Sequence, residues 1–402
     1  LTTDLLAALS TGDLKALTSA QIASLTSDQL NGLATDHIAV LTTAQVAALT
    51  TTQLSNLSST NLNALGSAQI AALTTAQVAS LTTTQVSTME SADVAALTSN
   101  QVKALTTAQV DALTTSEVAA LTSAQTAALT TAQLASMSTD QVAAFTTTDL
   151  KALTAAQIAS LTSDQLNNLA TDHITALTTA QIAALTTTQV SNLSTTNLDA
   201  LTTAQIAALT PAQVAHLSTT QLNALTSTDM AALTSAQAVA LTTTQLSNLT
   251  TDLLAALSTA DLKALSAAQI DSLTSDQLNG LATDHIAALT SAQVAALTTT
   301  QLSNLSTTNL DAFGSAQIAA LTPTQVANLT TAQINALGTA QVAAFTPAQI
   351  AALTSAQVNA LTTSDMGALT SAQTVALTTN QLSNLTTDLL AALSTGDLKA
   401  LT

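Results

Sequence analysis

An eight-residue unit, typified by Leu41-Thr42-Thr43-Ala44-Gln45-Val46-Ala47-Ala48, repeats from Leu1 to Thr402 with no insertion or deletion in its register. Fifty units fit end to end, so one local conformation must be copied along the chain, and solving one octad largely solves the fold. Position 1 is Leu, or Met89, Met137, Phe145, Phe313 or Phe345. Position 6 is Val, Ile, Leu or Met except at Thr126, Ala238 and Thr374. In the last two octads Val239 and Val375 follow directly, as if supplying the missing bulk.

The apolar steps are alternately five and three. Both are odd, so a strand would send the two apolar positions to opposite faces. A continuous α-helix advances about 80° beyond two turns in eight residues, which winds the apolar stripe around its axis. A helix that restarts in every octad escapes both problems. Thr42 at the N-cap and Gln45 at N3 form a capping box, and Leu41 with Val46 forms the hydrophobic staple around it.

The rarer residues sort to this frame. Pro211, Pro323 and Pro347 all fall at N1, where a missing N–H costs least. Gly66, Gly314 and Gly338 replace the N-cap Thr. Of 23 acidic residues, 18 lie at positions 4 and 5, in the first turn, which the helix dipole favours. All five lysines, Lys15, Lys103, Lys151, Lys263 and Lys399, stand at position 7, toward the helix C-terminus.

Helices this short do not persist alone in water. Stability must come from stacked neighbours, with small Ala at positions 7 and 8 allowing close approach. The fold class expected is therefore all-α: a solenoid or superhelix of very short helices around Leu, Val and Ile, with Thr, Ser and Gln outside. A β-solenoid is the rival; few corner Gly or Asn and abundant Ala and Gln count against it. Residues 1–402 read as a single continuous octad array, expected to be a piece of a longer chain. The number of octads per superhelical turn does not follow from this pattern.

Composition narrows function mainly by exclusion. A net charge of −18 with five scattered Lys and no Arg disfavours nucleic acid. Thr and Gln interrupt every octad, so no apolar run approaches the roughly 20 residues of a membrane span. Without Cys there are no disulfides or thiolate metal sites, a state compatible with secretion. No Ser-His-Asp grouping, phosphate loop or differentiated carboxylate pair points to catalysis, and no cofactor is expected.

Three near-copies of a block carry the most chemistry-like residues: Asp28, Asp36 and His37; Asp164, Asp172 and His173; Asp276, Asp284 and His285. Adjacent octads could bring two carboxylates and an imidazole to one divalent cation. The simpler reading places each Asp at a helix N-terminus and His in the place of Gln at N3. In these octads Ala34, Ala170 and Ala282 replace the capping Thr. His216, alone at position 8, reads as a solvated residue near a helix end.

Longer repetition overlays the octads. Leu1–Thr18 recurs identically at Leu385–Thr402, and related Asp-Leu-Lys-Ala-Leu blocks begin at Asp13, Asp149, Asp261 and Asp397. Growth by copying long blocks resembles the repeat regions of giant bacterial cell-surface and extracellular proteins. The resemblance implies an extracellular or cell-surface structural protein, a fibre or stalk of the adhesin or matrix-filament type, associating with identical chains. The calcium-binding Gly-Gly-x-Gly-x-Asp nonapeptides of many secreted proteins are absent. A surface-binding module for ice or polysaccharide, using the regular Thr array, is the alternative.

Overall fold

The computed structural model describes residues 2–401. Among them, fifty helices of four to six residues, α1 (Thr3–Ala7) to α50 (Thr395–Ala400), follow in chain order at one per octad. No strand occurs among the described residues, which sets aside the β-solenoid. The fold is an all-α solenoid.

Each octad is one short helical turn, in most cases capped by a side chain, followed by an extended step. In α6 (Thr43–Ala48) the N-cap Thr42 is extended at φ −71°, ψ 158°, and the chain leaves through Leu49 at φ −56°, ψ 138°. Val46 N–H donates to Thr42 O at 3.0 Å and Leu49 N–H to Val46 O at 3.2 Å, so both termini close on position 6. No described residue has a positive φ. The chain turns at every octad without the left-handed conformation that favours Gly, which explains a solenoid with so few glycines.

Contacts group the octads into two compact units, Leu1–Ala208 and Leu209–Thr402. The division falls on an octad boundary. Within each unit a helix packs on the helix three octads later: α3 (Ser19–Ala23) on α6 in the first, α41 (Pro323–Ala327) on α44 (Pro347–Ala352) in the second. Leu41 and Val46 are both buried, as are their counterparts through the inner octads of each unit, whereas Leu17 and Leu385 are half-buried and Leu390 and Leu398 are exposed. Hydrophobic burial thus runs as a thin axial core, one Leu and one Val or Ile per octad.

Two expectations fail here. Gln is not outside: Gln45, Gln213 and Gln349 are buried, as is position 5 in most octads. Nor do Val239 and Val375 replace missing core bulk. They are 45% and 53% exposed, while Ala238 and Thr374 themselves occupy the core position with no exposure. A side chain one residue beyond position 6 has turned about 100° around the helix and cannot reach the axis.

Candidate functional site

The chemistry of this chain is concentrated at position 5, between layers. The capping box expected at Thr42 and Gln45 forms: Thr42 N–H donates to Gln45 Oε1 at 2.7 Å, and Gln45 N–H to Thr42 Oγ1 at 3.2 Å. The other end of the amide does what local sequence does not reveal. Gln45 Nε2 donates to Leu14 O and Leu17 O, each at 2.8 Å, 31 and 28 residues earlier. In the second unit Gln349 repeats this geometry, with Ile318 O at 2.9 Å and Leu321 O at 2.6 Å. One amide therefore caps the start of its own helix and the end of the helix a turn below. The spacing of 28 residues sets a superhelical turn of about three and a half octads.

Where position 5 is too short or apolar to do this, an Asn at position 7, thirty residues earlier, compensates. Asn31 Nδ2 donates to Asn56 O at 2.8 Å, and Asn31 Oδ1 accepts Ser58 N–H at 2.7 Å, in the octad where Asn61 replaces Gln. Asn167 does the same for the Asn197 octad, Asn279 for Asn309, Asn223 for Leu253 and Asn359 for Leu389. The two remaining position-7 asparagines, Asn63 and Asn335, stand thirty residues before Asp93 and Asp365. This pairing is legible in the sequence as a covariation at a fixed offset, and it encodes the turn length.

Asp at position 5 is accommodated differently. Asp149 accepts Thr146 N–H at 3.1 Å and Thr146 Oγ1–H at 2.5 Å on one oxygen, and Ser123 Oγ–H at 2.8 Å on the other. Asp261 repeats this with Ser258 and Ser235. At the outer octads, hydroxyl and backbone donors from Ser10 hold Asp13 below the ordinary carboxylate range, and hydroxyls of Ser394 and Ser371 do so for Asp397. Burial instead pushes Glu117 up. Asp93 is pushed up to about 6, first by burial and then by the neighbouring Glu90 carboxylate.

The Asp/His blocks do not assemble the cation site considered above. Asp28 lies exposed on α4 (Ser27–Asn31), and Asp36 and His37 lie on α5 (Thr35–Ala39). Asp164, Asp172 and His173, and Asp276, Asp284 and His285, take the same places, with every Asp exposed. Each second Asp is turned back onto the backbone: Asp36 Oδ1 accepts His37 N–H at 2.9 Å, and Asp172 and Asp284 do likewise. Among the described residues no three His, Cys, Asp or Glu side chains converge as metal ligands. The imidazole takes the Gln position but cannot copy its bonds. Nδ1 of His37, His173 and His285 is buried without a hydrogen bond, and Ala34, Ala170 and Ala282 provide no cap.

Other expected positions fall in place. Pro211, Pro323 and Pro347 are the first residues of α27 (Pro211–Ala215), α41 and α44, and Gly66 N–H still donates to Gln69 Oε1 at 2.6 Å. His216 caps the end of α27, its Nδ1 2.7 Å from Ala212 O. A shallow surface groove beside Lys263, rimmed by Thr290 and Ser291, carries that ammonium as its one charged group. Among the described residues no helix is long and apolar enough to cross a membrane.

No curated protein matches the chain. The ALTTAQ repeat does, in overlapping stretches that begin with residues 6–43, 46–83 and 86–123, end with residues 358–395 and leave 236–253 as the longest gap. With an octad of this composition, a short helix at every repeat and that pattern over most of its length, the chain belongs to the ALTTAQ repeat family.

Proposed function

We propose that this chain is a structural protein, an extracellular or cell-surface fibre or stalk whose useful property is the length it spans. One observation carries the reading: the Gln amide fastens each layer to the layer a turn below, so octads can be added without any differentiated site. Repeat stability is then a sum of near-identical interfaces, and extension costs no redesign. No catalytic role is assigned, because the buried Gln amides are engaged in holding layers together.

Self-association with identical chains is part of the proposal. A surface of Thr, Ser and Ala with few charges permits lateral packing of identical chains. Negative-stain electron microscopy tests the reading. Uniform slender particles that lengthen with protein concentration support it; irregular globules of fixed size reject it. Surface binding to ice or polysaccharide gains less support, since the position-2 hydroxyls are engaged by helix N–H groups. Thermal hysteresis would reveal it.

A further inference from the structure

We propose that the layer around Asp93 in the first unit is a binding site for a hard cation, with Ca²⁺ the ion that fits its oxygens. The inference comes from a break in the interlayer rule. Gln85 Nε2 donates to Leu54 O and Leu57 O at 2.8 and 2.7 Å, and Gln101 Nε2 to Ile70 O and Leu73 O at 2.9 and 2.7 Å. Between them, α12 (Ser91–Ala96) has Asp93 in the Gln position. The carbonyls in the same relation to it are those of Leu62, at the end of α8 (Ser59–Leu62), and Leu65. A carboxylate has no proton to offer them.

Asp93 also lacks the donors that serve other buried Asp residues. Glu90 stands at the N-cap, where Thr146 supplies two bonds to Asp149, and it makes no side-chain cap. Ser67 occupies the place of Ser123 but remains exposed and unbonded to Asp93. Asp93 is 6% exposed and its carboxylate accepts no hydrogen bond. Burying an unpaired charge is costly, and proteins ordinarily pair it or bind a metal there.

Asn63 supplies the second, independent observation. Its Nδ2 donates to Thr88 O at 2.7 Å, as in the other Asn clamps. Its Oδ1 is buried and unpartnered, whereas Asn31 Oδ1 and Asn167 Oδ1 accept an N-cap N–H at 2.7 Å. The equivalent donor is Glu90 N–H, which bonds neither Asn63 nor Asp93. Two oxygens without a donor, the Asp93 carboxylate and the buried Asn63 Oδ1, thus belong to the positions that elsewhere serve one N-cap N–H, and the Glu90 carboxylate adds negative charge beside Asp93. On α15 (Thr115–Ala119), Glu117 brings the chain's other glutamate to the next layer, at the Gln position facing Val86 and Met89. Carboxylate and amide oxygens suit Ca²⁺, which accepts such ligands in flexible geometry, better than Mg²⁺, which demands a tight octahedron.

Isothermal titration calorimetry of the full chain with CaCl₂ at neutral pH tests the site. The expected result is one saturable site per chain, retained in Asp261→Asn and lost in Asp93→Gln, which restores the repeat's own side chain. Circular dichroism verifies that both variants remain folded. Absence of a saturable isotherm for the unsubstituted chain overturns the proposal, and so does an isotherm that survives in Asp93→Gln. A layer that tightens only on acidification, with no response to Ca²⁺, would show that a proton on Asp93 fills the role instead.

Discussion

Asp149 and Asp93 occupy the same octad position, 3% and 6% exposed, and have opposite surroundings. Asp149 is held by two hydroxyls and a backbone N–H. Asp93 has none, and Glu90 adds a like charge beside it. Burial alone therefore says little about a carboxylate in this fold. The N-cap residue decides, because it stands three residues before position 5 and is the first donor within reach. Thr at that place turns a buried Asp into a clamp; Glu leaves it without a donor and adds a like charge beside it.

The largest way to break the contrast is Asp149→Ala. It strands the Thr146 N–H and opens space between layers, and should destabilise that layer by about 3 kcal/mol, read by native-state hydrogen exchange at the Leu150 amide. Asp93→Gln should act in the reverse sense. It supplies the missing donor and removes the buried charge, for a local gain of about 1–2 kcal/mol without Ca²⁺, visible as slower exchange at Val94.

Acidity tests the Asp93 layer as well. The folded value of Asp93 lies near 6 against an ordinary 3.8, so the folded layer holds its proton more tightly than the unfolded chain. Stability of this layer should then fall as pH rises from about 4 to about 6 and stay low above that. Glu117 acts in the same direction, whereas Asp13 and Asp397, shifted down, lose their contribution as pH falls through their lowered folded values. Exchange at Val94, corrected for intrinsic rate, should be slower at pH 5 than at pH 7. Equal protection at both would refute the assignment, and Asp93→Gln should erase the difference.

The smallest effect concerns the Asn clamps. Asn31→Ala should cost about 1 kcal/mol by freeing Ser58 N–H, and Asn61→Gln in the same chain should recover most of it by restoring the ordinary capping box. A double-mutant cycle with no coupling would show that the two asparagines act independently.

Local reading went far because the octad's rules are local. Thr42, Gln45, Leu41, Val46 and the three prolines stand where capping and staple geometry put them, since those bonds span three or four residues. It failed at Gln, read as a surface residue from its polarity, because the partners of Gln45 Nε2 lie 28 and 31 residues away. It failed at Val239 and Val375 because bulk next to position 6 is not bulk at position 6. The Asp/His blocks promised ligands by composition, but residues eight apart in sequence do not meet when neighbours in space are three and four octads apart.

The sequence by itself determined the restarting helix, its caps and the apolar axis, because hydrogen bonds within one octad leave few alternatives for that pattern. The pairing of position-7 Asn with position 5 thirty residues on records the turn length as well, but only the structure shows that these residues meet. Only the tertiary structure decided which polar groups are inside and which buried carboxylates are satisfied. Those outcomes depend on the orphan carbonyls and donors of a layer a full turn away, and no single octad contains both partners.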